Sequence, residues 1–238
     1  MGKIIIPLDG FKSKKDLMAV VSEIAELEQS LGRKDLIWGF KVNDSLIEYG
    51  VSIVKDLKAV GFKVFADPKL KDIPNTMNNS LNRLIEAGAD IITVHCASIY
   101  KPKDIIQASK IAGVTILTSM TEEQCYSIYD TNIDIMVNYF HDLAVSFKYE
   151  YLVCSAQDLE YIASESKIKK ICPGIRLADG SQDDQVRIMT PGKAIKAGAD
   201  LLVVGRPILN AKNKAEVIQR INTEIQCALM ELAEETIN

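Results

Sequence analysis

"EAGADIITVH" (residues 86–95) and "KAGADLLVVG" (residues 196–205) each carry the end of a helix directly into a strand. In both, a glycine follows the last alanine of a helical pattern, and an acid then precedes a run of apolar residues. The glycine supplies the left-handed backbone that stops a helix, and the run is too short for anything but a strand. The likeness needs no duplication to explain it, because the same stop-and-start chemistry produces it independently, so the repeat carries no functional weight.

Working outward from these two places, the same alternation runs from end to end. Short apolar runs read as strands at "KIIIPLD" (3–9), "LIWGFKVN" (36–43), "KVFADPK" (63–69), "DIITVHCA" (90–97), "VTILTS" (114–119), "YLVCS" (151–155), "KKICPGI" (169–175) and "LLVVGR" (201–206). Between them lie segments such as "KKDLMAVVSEIAELEQSLG", "SLIEYGVSIVKDLKAVG" and "NTMNNSLNRLIEAGAD", with apolar residues at three- and four-residue spacing and glycine near the end. Near-continuous apolar strands joined by helices suit a parallel sheet covered on its outer face, and eight such units close into a barrel. The expectation is an α/β chain forming one (β/α)8 TIM barrel over residues 1–238, with a doubly wound open sheet as the alternative.

Composition narrows the function. Apolar residues at 47% and charged residues at 25% are globular proportions, and no apolar run is long enough to span a bilayer. The start, "MGKIIIPLDG", lacks a long apolar stretch and a small-residue cleavage site, so it reads as a first strand in a cytoplasmic protein. A net charge of −4 without any basic block argues against nucleic acid or membrane as the partner. Cys96, Cys125, Cys154, Cys172 and Cys227 show no metal-binding spacing and are expected to be buried free thiols. The stretch "RLADGSQDDQVRIMT" (176–190) is the longest without periodicity, and such loops inside compact domains are often functional.

In a barrel of this kind the site lies at the carboxyl ends of the strands. The polar residues expected there are Asp9, Lys41, Asn43, Asp67, Lys69, His95, Thr118, Ser119, Arg176 and Arg206. Asp67 and Lys69, two apart, share a strand face, which sets carboxylate beside ammonium. Asp72 falls past the strand, where it either returns to the ammonium or reaches another subunit. Acids crowded about a lysine keep it protonated and so store a proton donor. Lys41, at the neighbouring strand end, extends this to an alternating Lys-Asp-Lys-Asp array. Trp38, Phe40, Phe65 and Tyr100 read as packing, and His95 as a structural or supporting residue.

These residues carry a resemblance. "DPKLKDIPNT" (67–76) resembles the D-x-K-x-x-D-I-P-N-T signature of the orotidine 5′-monophosphate decarboxylase family. "PLD", "FKV", "VTILTSM", "VCSAQ", "PGIR", "DDQVRIMTP" and "VVGRPI" follow in the family's order along almost the whole chain. The resemblance implies cofactor-independent decarboxylation of orotidine 5′-monophosphate to UMP, the last step of de novo pyrimidine nucleotide synthesis, in a homodimer. It implies a tetrad of Lys41, Asp67, Lys69 and Asp72, with Lys69 protonating C6 and Asp72 completing the partner's site. It further implies that Asp9 and Lys41 hold the ribose hydroxyls, and that Thr118 and Ser119 meet the pyrimidine. Ile73, Asn75 and Thr76 would line the site, and Arg176, Gln185, Gly205 and Arg206 would serve the phosphate, with Gln185 fastening the long loop.

Three positions depart from the family pattern: Pro7, Pro68 and Lys71. Pro68 fixes φ and removes a donor between two candidate site residues, which a central parallel strand tolerates poorly. Pro74, by contrast, suits the first position of a helix, whose N–H would have no partner in any case. Two other readings remain. Magnesium-dependent sugar-phosphate decarboxylases and hexulose-phosphate synthases share the first half of the signature, but Ile73, Pro74, Asn75 and Thr76 favour the nucleotide enzyme. A non-catalytic phosphate-binding barrel would require a broken tetrad.

Overall fold

In the computed structural model, which describes residues 3–32, 36–163, 166–178 and 187–237, eight parallel strands pair in chain order, and the last pairs with the first to close a barrel. The strands are β1 (Ile4–Pro7), β2 (Gly39–Val42), β3 (Lys63–Leu70), β4 (Ile91–His95), β5 (Ile111–Val114), β6 (Tyr151–Val153), β7 (Lys169–Cys172) and β8 (Leu201–Val203). The helices that cover them begin with α1 (Lys14–Ser30), α2 (Asp44–Tyr49), α3 (Ser52–Ala59), α4 (Pro74–Glu86) and α5 (Ile105–Ala108). They continue with α6 (Glu122–Tyr129), α7 (Ile133–Ser146), α8 (Pro191–Lys196), α9 (Arg206–Leu209) and α10 (Lys214–Ile237). The (β/α)8 expectation holds, and the open sheet is excluded by the β1–β8 pairing. The segment read as one helix after β2 is two, divided at Gly50, whose φ of +57° interrupts the helical backbone.

Alternation along the strands separates two cores. Ile5, Trp38, Phe65, Ile91, Ala112, Ile171, Leu201 and Val203 fill the barrel interior. Their neighbours Ile4, Ile6, Val64, Ala66, Ile92, Val94, Cys172 and Leu202 point outward into the layer shared with the helices. Helix α10 presents Ile218, Ile221, Ile225 and Ala228 to that layer at helical spacing. Cys227 lies off this stripe and is exposed, contrary to the expectation of burial, whereas Cys96, Cys125, Cys154 and Cys172 are buried free thiols.

The two A-G-A-D sequences now have a structural role. Gly88 and Gly198 adopt φ of +98° and +104° after α4 and α8, as the helix stop requires. Asp90 accepts the backbone N–H of Val64 at 2.9 Å, and Asp200 accepts that of Lys170 at 2.8 Å, so each acid pins the preceding strand at the amino end of the barrel.

Strand β5 differs from the expected 114–119, beginning three residues earlier and ending at Val114. Its ladder partners, Ile92–His95 and Tyr151–Val153, fix the register. Gly113 inside it masks the strand signal, yet a Cβ there would come within 2.7 Å of Cys96 Sγ, so packing demands the glycine. Strands β7 and β8 also end early, at Cys172 and Val203, which leaves Arg176 in a loop and Arg206 at the start of α9.

Candidate active site

Register builds the charged array. Ile5, Pro7 and Asp9 alternate inward along the first strand and beyond it, Gly39 and Lys41 along the second, and Phe65 and Asp67 along the third. Pro7 is the Cα partner of Lys41, which is in turn the partner of Phe65. Asp9 and Asp67 therefore each stand one inward position above Lys41 and flank its ammonium. Lys41 Nζ lies 2.7 Å from Asp9 Oδ2 and 3.2 Å from Asp67 Oδ2, and Asp67 Oδ2 accepts from Lys69 Nζ at 2.7 Å. The array reads Asp9, Lys41, Asp67, Lys69. Burial pushes the Lys41 ammonium down, but Asp67 and Asp9 outweigh it and hold its pKa above the ordinary value.

Asp67 and Lys69 meet, although not by simple alternation. The β3–β4 register runs Ala66 to Ile92 and then Leu70 to Val94, so Asp67, Pro68 and Lys69 together oppose Thr93. This is a bulge of the kind that re-aims side chains beside functional sites. It also accommodates Pro68, whose missing N–H falls where the regular ladder is interrupted. Lys69 pays for its placement with φ of +48°, a region that costs a non-glycine residue about 1–3 kcal/mol. Asn43 braces the array from the other side: its N–H donates to Asp9 Oδ1 at 3.1 Å, and its side-chain amide donates to the Asp67 carbonyl.

These groups face a cavity of about 610 Å³ at the carboxyl end of the barrel. Asp9, Lys41, Asp67, Lys69, Thr118, Ser119, Arg176, Gly205 and Arg206 all line it, so nine of the expected residues converge there. Thr118 and Ser119 do so from a turn after β5 rather than from its end. Gly205 is needed for a close approach, since a Cβ there would sit 2.8 Å from Pro7 Cγ. Arg176 is buried; its backbone N–H bonds to Met189 O at 3.1 Å, which ties together the two ends of the long loop. Gln185, Asp183 and Asp184 lie outside the described residues.

Asp72, Ile73, Asn75 and Thr76 do not line this cavity; all four are exposed at the start of α4, with Pro74 at its first turn as expected. Asp72 Oδ1 accepts from the adjacent Ile73 N–H at 2.6 Å. His95 is half-buried and set back from the cavity lining; burial, then Lys71 and Lys69, push its pKa down, which favours a neutral ring. Burial raises the Cys96 thiol to about 12, leaving it unreactive at neutral pH.

Sequence reading missed the apolar part of the cavity lining, to which Val114, Ile116, Leu117, Val153, Pro173, Val203 and Leu209 contribute. Phe65, read as packing only, belongs to both the core and this lining. Inward alternation at the strand ends was the available signal. Also missed was the ion pair of Arg187 with Asp158, in which Arg187 Nη2 additionally donates to Leu117 O at 3.0 Å. A cavity that mixes apolar side chains with a few fixed charges suits a small, partly polar ligand.

The chain is similar to known proteins in sequence and in fold. A family model described as orotidine 5′-phosphate decarboxylase / HUMPS family matches residues 3–221. An orotidine 5′-phosphate decarboxylase from Carboxydothermus hydrogenoformans is 32% identical over 243 residues, covering 95% of this chain and 97% of that relative. One from Streptococcus gordonii is 34% identical over 230 residues, covering 92% and 96%. The crystal structure of orotidine 5′-phosphate decarboxylase from Lactobacillus acidophilus superposes with a TM-score of 0.74 at 22% identity over 94% of this chain and 99% of its own, a likeness of fold.

Proposed function

The chain belongs to the orotidine 5′-phosphate decarboxylase / HUMPS family, and on that premise we propose how its strand-end charges carry out the reaction. The protein is a carboxy-lyase of pyrimidine biosynthesis that converts orotidine 5′-monophosphate to UMP and carbon dioxide. The C6–carboxylate bond breaks, its electron pair stays on C6, and the Lys69 ammonium gives C6 a proton. The resulting amine regains a proton from solvent. A preorganised ammonium beside developing negative charge stabilises the transition state before it delivers the proton. Asp67 holds Lys69 in place through the 2.7 Å contact to its ammonium, Asp9 and Lys41 take the ribose hydroxyls, and Thr118 and Ser119 meet the pyrimidine.

Arg176, Gly205, Arg206 and Gln185 are assigned to the phosphate. Arg206 offers a forked donor at the strand-eight position where many barrels hold phosphate. Binding energy gathered there is spent on organising a site remote from it. The step requires no cofactor, and the activity is assigned to the cytoplasm, with no part for nucleic acid or membrane. Among the described residues, no helix is long and apolar enough to cross a membrane.

The observation that carries this reading is the single oxygen, Asp67 Oδ2, held between two lysine ammoniums at the cavity wall. Its test is incubation of purified protein with orotidine 5′-monophosphate, with and without EDTA. Falling substrate absorbance and UMP formation that EDTA leaves unchanged support it. EDTA-sensitive turnover, or none with this nucleotide, points instead to the magnesium-dependent sugar-phosphate branch.

We further assign Asp72, Ile73, Asn75 and Thr76 to the site of a second subunit in a homodimer. Their exposure supports this, as do exposed Ile73, Ile99, Ile105 and Ile106 on the segments after β3 and β4. Lys69→Ala and Asp72→Ala proteins, each inactive alone, should recover activity on mixing. Random exchange makes about half the dimers mixed with one whole site in two, so recovery should approach roughly a quarter of native activity. No gain after exchange is verified by an independent label places Asp72 elsewhere.

A further inference from the structure

We infer that Thr93 is a positioning residue for the reacting ammonium, holding Lys69 and Asp67 in the one arrangement that aims both into the cavity. This rests on the role given above to Lys69. Thr93 is fully buried, on β4 between Ile92 and Val94. Its inward neighbour along the strand is Ile91 of the barrel interior, so its hydroxyl also faces inward, beneath the charged array. There it donates to Asp67 Oδ1 at 2.9 Å and accepts the backbone N–H of Lys69 at 2.8 Å.

Those two bonds do what the ladder cannot. Three residues of β3 oppose Thr93 alone, Pro68 has no N–H, and Lys69 sits at φ +48°, where regular pairing has no place for its amide. A hydroxyl has one proton to give and lone pairs to receive, so Thr93 satisfies the displaced Lys69 amide and the inner oxygen of Asp67 at once. With Oδ1 fixed from below, Oδ2 is left to Lys41 and Lys69. The backbone bond holds Lys69 in its left-handed conformation, which sends the side chain back toward Asp67. The hydroxyl thus acts on the reaction through Lys69 and Asp67.

Thr93→Val keeps shape and burial but removes the hydroxyl, while Thr93→Ser keeps the hydroxyl. Turnover of orotidine 5′-monophosphate should fall about 10- to 100-fold in kcat for Thr93→Val, as small misplacements at a reacting centre do, with KM changed less than about threefold. Thr93→Ser should stay within about threefold of wild type in both. The second readout needs no turnover: acetylation of Lys69 by acetic anhydride, measured by peptide mapping against Lys58. Released from Asp67, Lys69 should label several-fold faster in Thr93→Val, while Lys58 is unchanged and Thr93→Ser labels like wild type. Wild-type kcat and wild-type labelling in Thr93→Val would overturn the inference, as would equal loss in Thr93→Ser. Unequal labelling in a protein that fails to turn over this substrate would uphold the positioning role and sink the assigned reaction.

Discussion

Asp67 and Asp158 are both buried carboxylates near the carboxyl end of the barrel, each in an ion pair, yet their surroundings differ. Asp67 shares one oxygen between Lys41 and Lys69, gives the other to Thr93, and faces the cavity. Asp158, in the 3-10 turn after β6, accepts the Ser155 N–H at 3.1 Å and pairs with Arg187, whose other nitrogen is taken by Leu117 O. That pair joins three segments, after β5, after β6 and before α8, and lines a separate cavity of about 540 Å³. Burial, only partly offset by Arg187 and the Ser155 N–H, raises the Asp158 carboxyl to about 6. A buried ion pair is therefore no sign of catalysis or of stability by itself. What separates the two is the company each keeps: Asp67 lines its cavity with Asp9, Lys41, Lys69, Arg176 and Arg206, whereas Asp158 and Arg187 line a different one with Glu122, Gln157 and Glu160.

The comparison breaks if exchanging either member gives the wrong kind of defect. Asp67→Asn should cost about 10³-fold in kcat, because Lys41 and Lys69 lose the charge that holds them together and a positioned proton donor is worth about 10²–10⁴. Steady-state decarboxylation measures it, and a loss under tenfold would show that the carboxylate is dispensable. Arg187→Met, in contrast, should act on stability. An uncompensated Asp158 at neutral pH should cost about 3 kcal/mol by urea denaturation, with the double change Asp158→Leu and Arg187→Met recovering most of it. A double variant no better than the single one would mean that the pair stabilises in its own right.

The smallest effect is the pH dependence. The folded-state pKa of Asp158, about 6, exceeds the ordinary 3.8, so its contribution is full below the ordinary value and is lost as pH rises through 6. Between pH 7.5 and 5, wild type should gain about 1 kcal/mol relative to Asp158→Asn, which lacks this titration. Comparing the two proteins removes the carboxylates they share. Wild type losing stability relative to Asp158→Asn on acidification would show that Arg187 outweighs burial.

The same pair of carboxylates marks what could be read in the sequence. Asp67 was legible because its partner is two residues away on a strand, and Lys41 because strand order places it alongside. Arg187 is 29 residues from Asp158, and no periodicity links a loop to a 3-10 turn. Strand β5 was misplaced because Gly113 hides strand character that the ladder and the Cys96 contact impose. Seven other strands were legible because β-branched runs flanked by helix signals leave little else for the chain to do. The bulge at Pro68 is a further lesson: the proline looked unfit for a central strand, and the strand is irregular at that point. Thr93 was overlooked because nothing about a threonine within "IITVH" distinguishes a buried hydroxyl serving two partners from an ordinary β-branched residue.

The central claim, that Lys69 supplies the proton which replaces carbon dioxide, is tested most directly by turnover of orotidine 5′-monophosphate by Lys69→Ala, alongside calorimetric binding of UMP to the same protein. The side chain is half-buried at the cavity and belongs to no hydrophobic cluster, so the variant should fold and bind UMP within about tenfold of wild type, while kcat falls by about 10³-fold or more. Decarboxylation by Lys69→Ala within tenfold of wild type, with UMP still bound, would contradict it.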